Sequence, residues 1–244
     1  MMTVLTRKQR EIQERQQRIL TVAREMLMQG GYLGLSMDRI ATALEYSKGT
    51  IYQHFACKED IILALVNDSQ QQRCDFFERA ATFRGRPRER LAAIGYASEL
   101  FVRLHPDYFN VEQIVRASSI WEKTSLNGRT IMRSCESRCI GIVSGIIRDG
   151  VAQGDLTLPE ELAPEDMVFG LWAMTFGGYS IIATSSSLEE VGIREPFEAI
   201  NQNITRVLDG YGWRPLASEH DYSAVLVRIA EEIFRDETER LQSG

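Results

Sequence analysis

Ser36-Met-Asp-Arg-Ile40-Ala-Thr-Ala-Leu-Glu45-Tyr-Ser-Lys-Gly-Thr50-Ile-Tyr-Gln-His-Phe55-Ala-Cys-Lys58 is the stretch from which the rest of the chain can be read. It reads as two short helices joined by a tight turn, with a third helix opening near Lys58. Ser36 fits the N-cap of the first, since its hydroxyl can accept from an early backbone N–H. Leu35 and Ile40 flank that cap at the spacing of a hydrophobic staple. Ser47, with Tyr46 and Ile51, repeats the device. Two stapled caps this close predict a helix-turn-helix, whose second helix enters the DNA major groove.

The second helix has side chains suited to that task. Lys48, Gly49, Thr50, Tyr52, Gln53 and His54 lie between the cap and Phe55, with no carboxylate among them. Helix N-termini attract phosphate, and a glycine there allows close backbone approach. Lys48 can neutralise phosphate or reach a guanine edge, Gln53 can pair with adenine, and Thr50 can touch a thymine methyl. Ile51 and Phe55, four apart, face inward.

At these positions the stretch resembles the DNA-binding domain of TetR-family regulators. Their signature runs Ile-Ala-x-x-x-Gly-Val-Ser-Lys-Gly-Thr-hydrophobic-Tyr-x-x-Phe-x-x-Lys. It is met here by Ile40, Ala41, Ser47, Lys48, Gly49, Thr50, Ile51, Tyr52, Phe55 and Lys58. The resemblance covers about the first quarter of the chain. It implies an all-α protein: a three-helix DNA-binding domain over residues 1–57, then a larger helical ligand-binding and dimerisation domain over 58–244. The DNA-facing set would be Ser36, Arg39, Ser47, Lys48, Gly49, Thr50, Tyr52, Gln53, His54 and Lys58. Most known members are repressors released from a palindromic operator by a small molecule. A transcriptional activator, or a regulator controlled by a partner protein, remains open on the same fold.

Three residues depart from the family pattern. Glu45 stands where the inter-helix turn usually has glycine, and a non-glycine residue in the left-handed conformation costs roughly 1–2 kcal/mol. Tyr46 replaces a small aliphatic residue. Cys57 occupies a position where the next helix would favour Ser, Asn or Asp.

At 244 residues and 44% hydrophobic, the chain can bury a sizeable core. Its net charge of −6 is unevenly spread, with nine Lys+Arg against five Asp+Glu in residues 1–58 and an acidic remainder. A basic module on an acidic body suits a DNA reader whose other part should not adhere to DNA. The four cysteines, Cys57, Cys74, Cys135 and Cys139, form no CxxC pair and no metal spacing with the three scattered histidines. No metal or cofactor is expected. The start has no apolar run after its basic residues, so no signal peptide is expected, and reduced cytoplasmic thiols are the natural reading. Cys135 and Cys139, four apart, read as small apolar packing residues rather than redox sensors.

Residues 1–10 read as a disordered basic tail or as a minor-groove arm. Helices are expected over residues 11–29, 58–80, 87 to about 105, 107–121, 126–153, 164–184, 196–208 and 221–241. The arginines of the 84–90 loop read as solvated or anion-binding. Residues 167–183 carry no charge, but glycines at 170, 177 and 178 make a poor membrane span. A helix apolar all round should be buried on all sides, which favours pairing with a second subunit. With the 196–208 helix it occupies the place of the family's four-helix homodimer interface. Phe101, His105, Tyr108, Phe109, Trp121, Trp172, Phe176 and Tyr179 could line a pocket for a small-molecule effector or simply fill the core. Arg116 could pair with an anionic effector or form an internal salt bridge.

An enzyme lacks its parts here. There is no GxSxG, Walker loop, HExxH, or GxGxxG following a strand.

Overall fold

The computed structural model describes residues 6–117 and 126–243, and among them every regular element is helical. The α-helices run α1 (Arg7–Gly34), α2 (Met37–Ala43), α3 (Lys48–His54), α4 (Lys58–Ala81), α5 (Pro87–Leu104), α6 (Pro106–Ala117), α7 (Leu126–Ala152), α8 (Pro164–Thr184), α9 (Pro196–Gly210), α10 (Tyr222–Ile233) and α11 (Arg235–Ser243). The chain divides into two compact units. One comprises Met1–Gln70 with Asp107–Ser134; the other comprises Gln71–Pro106 with Cys135–Gly244. Helix α4 therefore belongs to both rather than opening the second.

In the first unit, α1 begins four residues before the expected start. Thr6 supplies a capping box: its hydroxyl accepts from the Gln9 N–H while Gln9 Oε1 accepts from the Thr6 N–H at 2.8 Å. Residues 7–10 are thus helical, not tail. Gly31, at φ 58°, breaks the helix near its end. Ile19, Leu20, Ala23 and Leu27 bury one face of α1 against Leu35, Ile40, Ile51, Phe55, Ile61 and Leu65. Full burial of such a side chain is worth about 1.5–3 kcal/mol, which suffices to hold two seven-residue helices that would not persist alone. Polar contacts bind α6 into this unit. Arg24 lies over the Tyr108 ring and donates to Asp68, which also accepts from the Tyr108 hydroxyl at 3.0 Å. The buried Ser69 hydroxyl donates to Glu112 at 2.7 Å.

In the second unit, α5 starts with Pro87 at its first position, where a missing N–H costs nothing. Three of the arginines read as solvated or anion-binding are instead engaged in internal pairs. Arg86 pairs with Asp155 and Arg90 with Asp149. Arg88 is 2% exposed; it donates to the carbonyls of Trp213, Pro215 and Thr205 and to Asp209. A buried guanidinium persists only when its donors are met, and here the chain around residues 205–215 meets them. Trp213 is fully buried.

The single helix expected over residues 221–241 is two. Phe234 leaves helical geometry (φ −127°, ψ 33°) between α10 and α11. Its ring is wholly buried, stacked on Phe76 with centroids 5.6 Å apart. Helix α8 is not covered within the single chain, where Phe169 is 65% exposed and Ile181 56%. By length and composition it could cross a membrane. A Cβ built on Gly178 would lie 2.5 Å from Ile200 Cδ1, so α8 and α9 touch closely there.

Candidate nucleic-acid interface

The turn between α2 and α3 shows how this sequence replaces the usual glycine. Glu45 has φ 54°, in the left-handed region. Its N–H donates to the Thr42 carbonyl at 3.2 Å, and the Tyr46 N–H donates to the Ala41 carbonyl at 2.9 Å. These are the two bonds of a Schellman ending, normally built on glycine. Tyr46 packs against the core beside it, supplying the apolar contact that accompanies the motif. A larger side chain thus anchors a turn that glycine does not ease.

Both expected caps are present. Ser36 Oγ accepts from the Arg39 N–H and Ser47 Oγ from the Thr50 N–H, each at 3.1 Å. Leu35, Ile40 and Ile51 are buried, and Tyr46 is partly so, which seats both staples. The inward face of α3 is Ile51, followed by Phe55; Ser47, Lys48, Gly49, Tyr52 and Gln53 are exposed. The outer face is therefore polar, aromatic and free of carboxylate within the helix.

Several of these groups already have partners. Lys48 Nζ donates to Asp38 Oδ2 at 2.7 Å, joining α3 to α2 through an exposed ion pair. The Asp38 carboxylate raises the Lys48 pKa and keeps its ammonium charged. Thr50 shares a hydrogen bond with Ser47 between hydroxyls. Arg39 donates to the Gly34 carbonyl at 2.6 Å. His54 is half-buried; burial, aided by the Arg15 charge, lowers its pKa and favours neutral imidazole. Lys58 departs furthest from an open phosphate ligand. Its ammonium sits 3.9 Å from the Tyr32 ring centroid and donates to the Tyr32 and Leu35 carbonyls. Beside it, the Tyr32 hydroxyl donates to Glu59, and that bond helps push the tyrosine up to about 12.

Residues 19–65 match the sequence model of the bacterial regulatory proteins, tetR family. That span runs from the buried face of α1 through the helix-turn-helix into α4, with the Schellman turn and both caps inside it. Over that span the chain carries a TetR-family DNA-binding domain. The fatty acid metabolism regulator protein of Bacillus subtilis strain 168 is 26% identical over 182 residues, 71% of this chain and 91% of that protein. The HTH-type transcriptional regulator UidR of Escherichia coli K12 is 33% identical over 107 residues, 44% of this chain and 51% of UidR. A TetR/AcrR-family regulator from Thermobifida fusca YX-ER1 superposes with a TM-score of 0.58 at 25% identity, covering 81% of this chain and 98% of that one.

Outside that TetR-family domain, the aromatic residues considered for an effector site fall in several places. Phe101 and His105 adjoin Phe76, with centroids 5.4 Å apart between the first two and 6.2 Å between His105 and Phe76. Trp172 and Phe176 follow one another along α8, with Phe169 before them. Tyr179 is buried against Phe197 of α9, and burial raises its pKa well above the usual phenol range. Phe109 is buried in the first unit. The side chain of Arg116 and all of Trp121 lie outside the described residues. Sequence reading missed Asp38 as the partner of Lys48. The two are ten positions apart on different helices, and no local pattern links them.

Proposed function

We propose that this chain is a ligand-responsive repressor that binds a near-palindromic operator as a homodimer and is released by a small molecule. The carboxylate-free outer face of α3, held by two stapled caps, carries this reading. On it, Lys48, with Ser47 and Thr50 beside it, meets phosphate, while Gln53 and Tyr52 read base edges. Ser36, Arg39 and Gly49 border that surface, and His54 enters it neutral. Lys58 reaches a phosphate only by leaving the Tyr32 and Leu35 carbonyls, so its first part is to hold α4 beneath the reading head.

The exposed apolar side chains of α8, with the close α8–α9 contact, support pairing of two copies. A dimer demands matching half-sites about one helical turn, roughly 34–36 Å, apart. Helix α4 is the element through which an effector in the second unit acts on the first. A useful switch needs roughly 1–3 kcal/mol of coupling, and linkage requires operator to weaken effector by the same factor. The name of the Bacillus subtilis relative, a fatty acid metabolism regulator, makes fatty acids the first effectors to screen.

The test begins with selection of bound sequences from random duplex DNA, then footprinting and an operator-driven reporter with and without the protein. Paired half-sites and a fall in reporter output are expected. An asymmetric site without repeated halves, or a rise in output, would overturn the homodimeric repressor. Effector affinity is then measured with and without operator; equal values would remove ligand release.

A further inference from the structure

Three of the four cysteines converge inside the second unit. Cys74 on α4 and Cys139 on α7 place their sulfurs 2.9 Å apart, inside ordinary van der Waals separation and joined by an S–H···S hydrogen bond. The Cys74 thiol also lies 3.3 Å from the carbonyl oxygen of Cys135, one turn earlier on α7. Two residues from well-separated parts of the sequence thus meet sulfur to sulfur. Cys135 takes another part: its own Sγ is 3.8 Å from Gln71 Oε1, and burial raises its pKa, so it stays a thiol. The pair lies in a cationic setting. Arg138 adjoins Cys139 in sequence and is anchored by Gln71 and Glu78; Arg73 adjoins Cys74.

We propose that Cys74 and Cys139 are a dithiol site that a peroxide converts to a disulfide, tying α4 to α7. The sulfurs need approach by only about 0.9 Å to reach the bonded distance of about 2.05 Å. Access is graded in the same sense. Cys74 has no exposure, whereas Cys139 is partly exposed and offers the peroxide its entry.

The hydrogen bond from the Cys139 thiol and the Arg138 and Arg73 charges bring Cys74 down to about 7. The same shared proton, together with burial, holds Cys139 up. One thiolate is therefore accessible near neutral pH, and it rests on Cys74 while Cys139 keeps the shared proton. Thiolate, not thiol, is the attacking form.

The Cys74 thiolate attacks one peroxide oxygen; the O–O bond breaks and the leaving hydroxide takes the Cys139 thiol proton, giving water and a Cys74 sulfenic acid. Cys139, now deprotonated, attacks the Cys74 sulfenyl sulfur; the S–O bond breaks, and the leaving hydroxide takes from solvent the proton lost when Cys74 ionised, giving a second water. Two thiols and one hydrogen peroxide become one disulfide and two waters, with two electrons passing from sulfur to peroxide. A dithiol reductant reverses the change by exchange.

Tryptic cleavage separates all four thiols onto different peptides: Gly49–Lys58, Cys74–Arg79, Ser134–Arg138 and Cys139–Arg148. The reduced full chain is titrated with hydrogen peroxide, quenched by alkylation, and mapped by mass spectrometry. The expected result is a Cys74–Arg79 to Cys139–Arg148 link, a fall from four titratable thiols to two, and recovery of four with dithiothreitol. Cys135→Ser should leave the link intact, while Cys139→Ser should abolish it without linking Cys74 elsewhere. The proposal is overturned if Cys57 oxidises first, if the link joins Cys74 to Cys135, or if either Cys74 or Cys139 proceeds to sulfinic acid unlinked. It is also overturned if four thiols survive a tenfold excess of peroxide.

Discussion

Replacing Glu45 with glycine should stabilise the DNA-binding unit even though it removes a side chain. Glu45 holds φ 54° to close the Schellman turn, and an L-residue there carries roughly 1–2 kcal/mol of strain. Glycine releases that strain, but its freer unfolded chain gives back about 0.4–1 kcal/mol. The net gain is centred on about 0.8 kcal/mol, with about 1.6 kcal/mol as its upper bound; in a chain of this size the central value raises the melting temperature by about 2–3 °C. Glu45→Ala is the control, since alanine keeps the strain while removing the carboxylate. Differential scanning calorimetry of the three proteins at one salt concentration separates the effects. If Glu45→Gly melts no higher than Glu45→Ala, the turn is not strained as described, and Tyr46 has absorbed the cost.

Lys48→Ala should weaken binding to all duplexes and reduce the salt slope by about one counterion per half-site. Gln53→Ala should instead change preference at one base position by roughly 1–3 kcal/mol; anisotropy titrations at several salt concentrations on substituted operators check both. Gly178→Val must displace Ile200, an overpacking cost of about 1–3 kcal/mol, and should shift sedimentation toward monomer if α8 and α9 pair the subunits. The Glu237 carboxyl is held below its usual range by its hydrogen bond from Arg79. A depressed folded value gives stability that is complete above the unfolded pKa, about 4.3, and lost as pH falls through the folded value. Melting curves from pH 6 to 3 should therefore fall less steeply for Glu237→Gln than for the parent.

The helix-turn-helix was legible because everything that makes it is local: a cap, a staple and an inward pair within a few residues of each other. The left-handed residue at Glu45 was legible for the same reason, as a position that the family fills with glycine. Helix α8 was legible to the residue, since Pro164 opens it. What escaped reading depends on groups far apart in the chain. Nothing near Arg88 announces that its partners lie more than a hundred residues later. Nothing beside Phe234 shows that Phe76 will take its ring and split the last helix. The thiols of Cys74 and Cys139, 65 positions apart, are adjacent only once α4 and α7 pack. In the candidate interface, the exposed face of α3 could be listed from periodicity. The engagement of Lys48 by Asp38 and of Lys58 by backbone carbonyls could not.

The ligation of Arg88 also sets a timetable. Its guanidinium is complete only when the Pro215 carbonyl arrives, 127 residues after it leaves the ribosome. At about 5–20 residues per second, that delay is roughly 6–25 s. For that interval α5 carries a cation that water must solvate, and the second unit cannot close around it. The segments that build the DNA-reading unit, through residue 134, have all been synthesised before then. The first unit is thus ready to fold while the second is still waiting for its C-terminal turn.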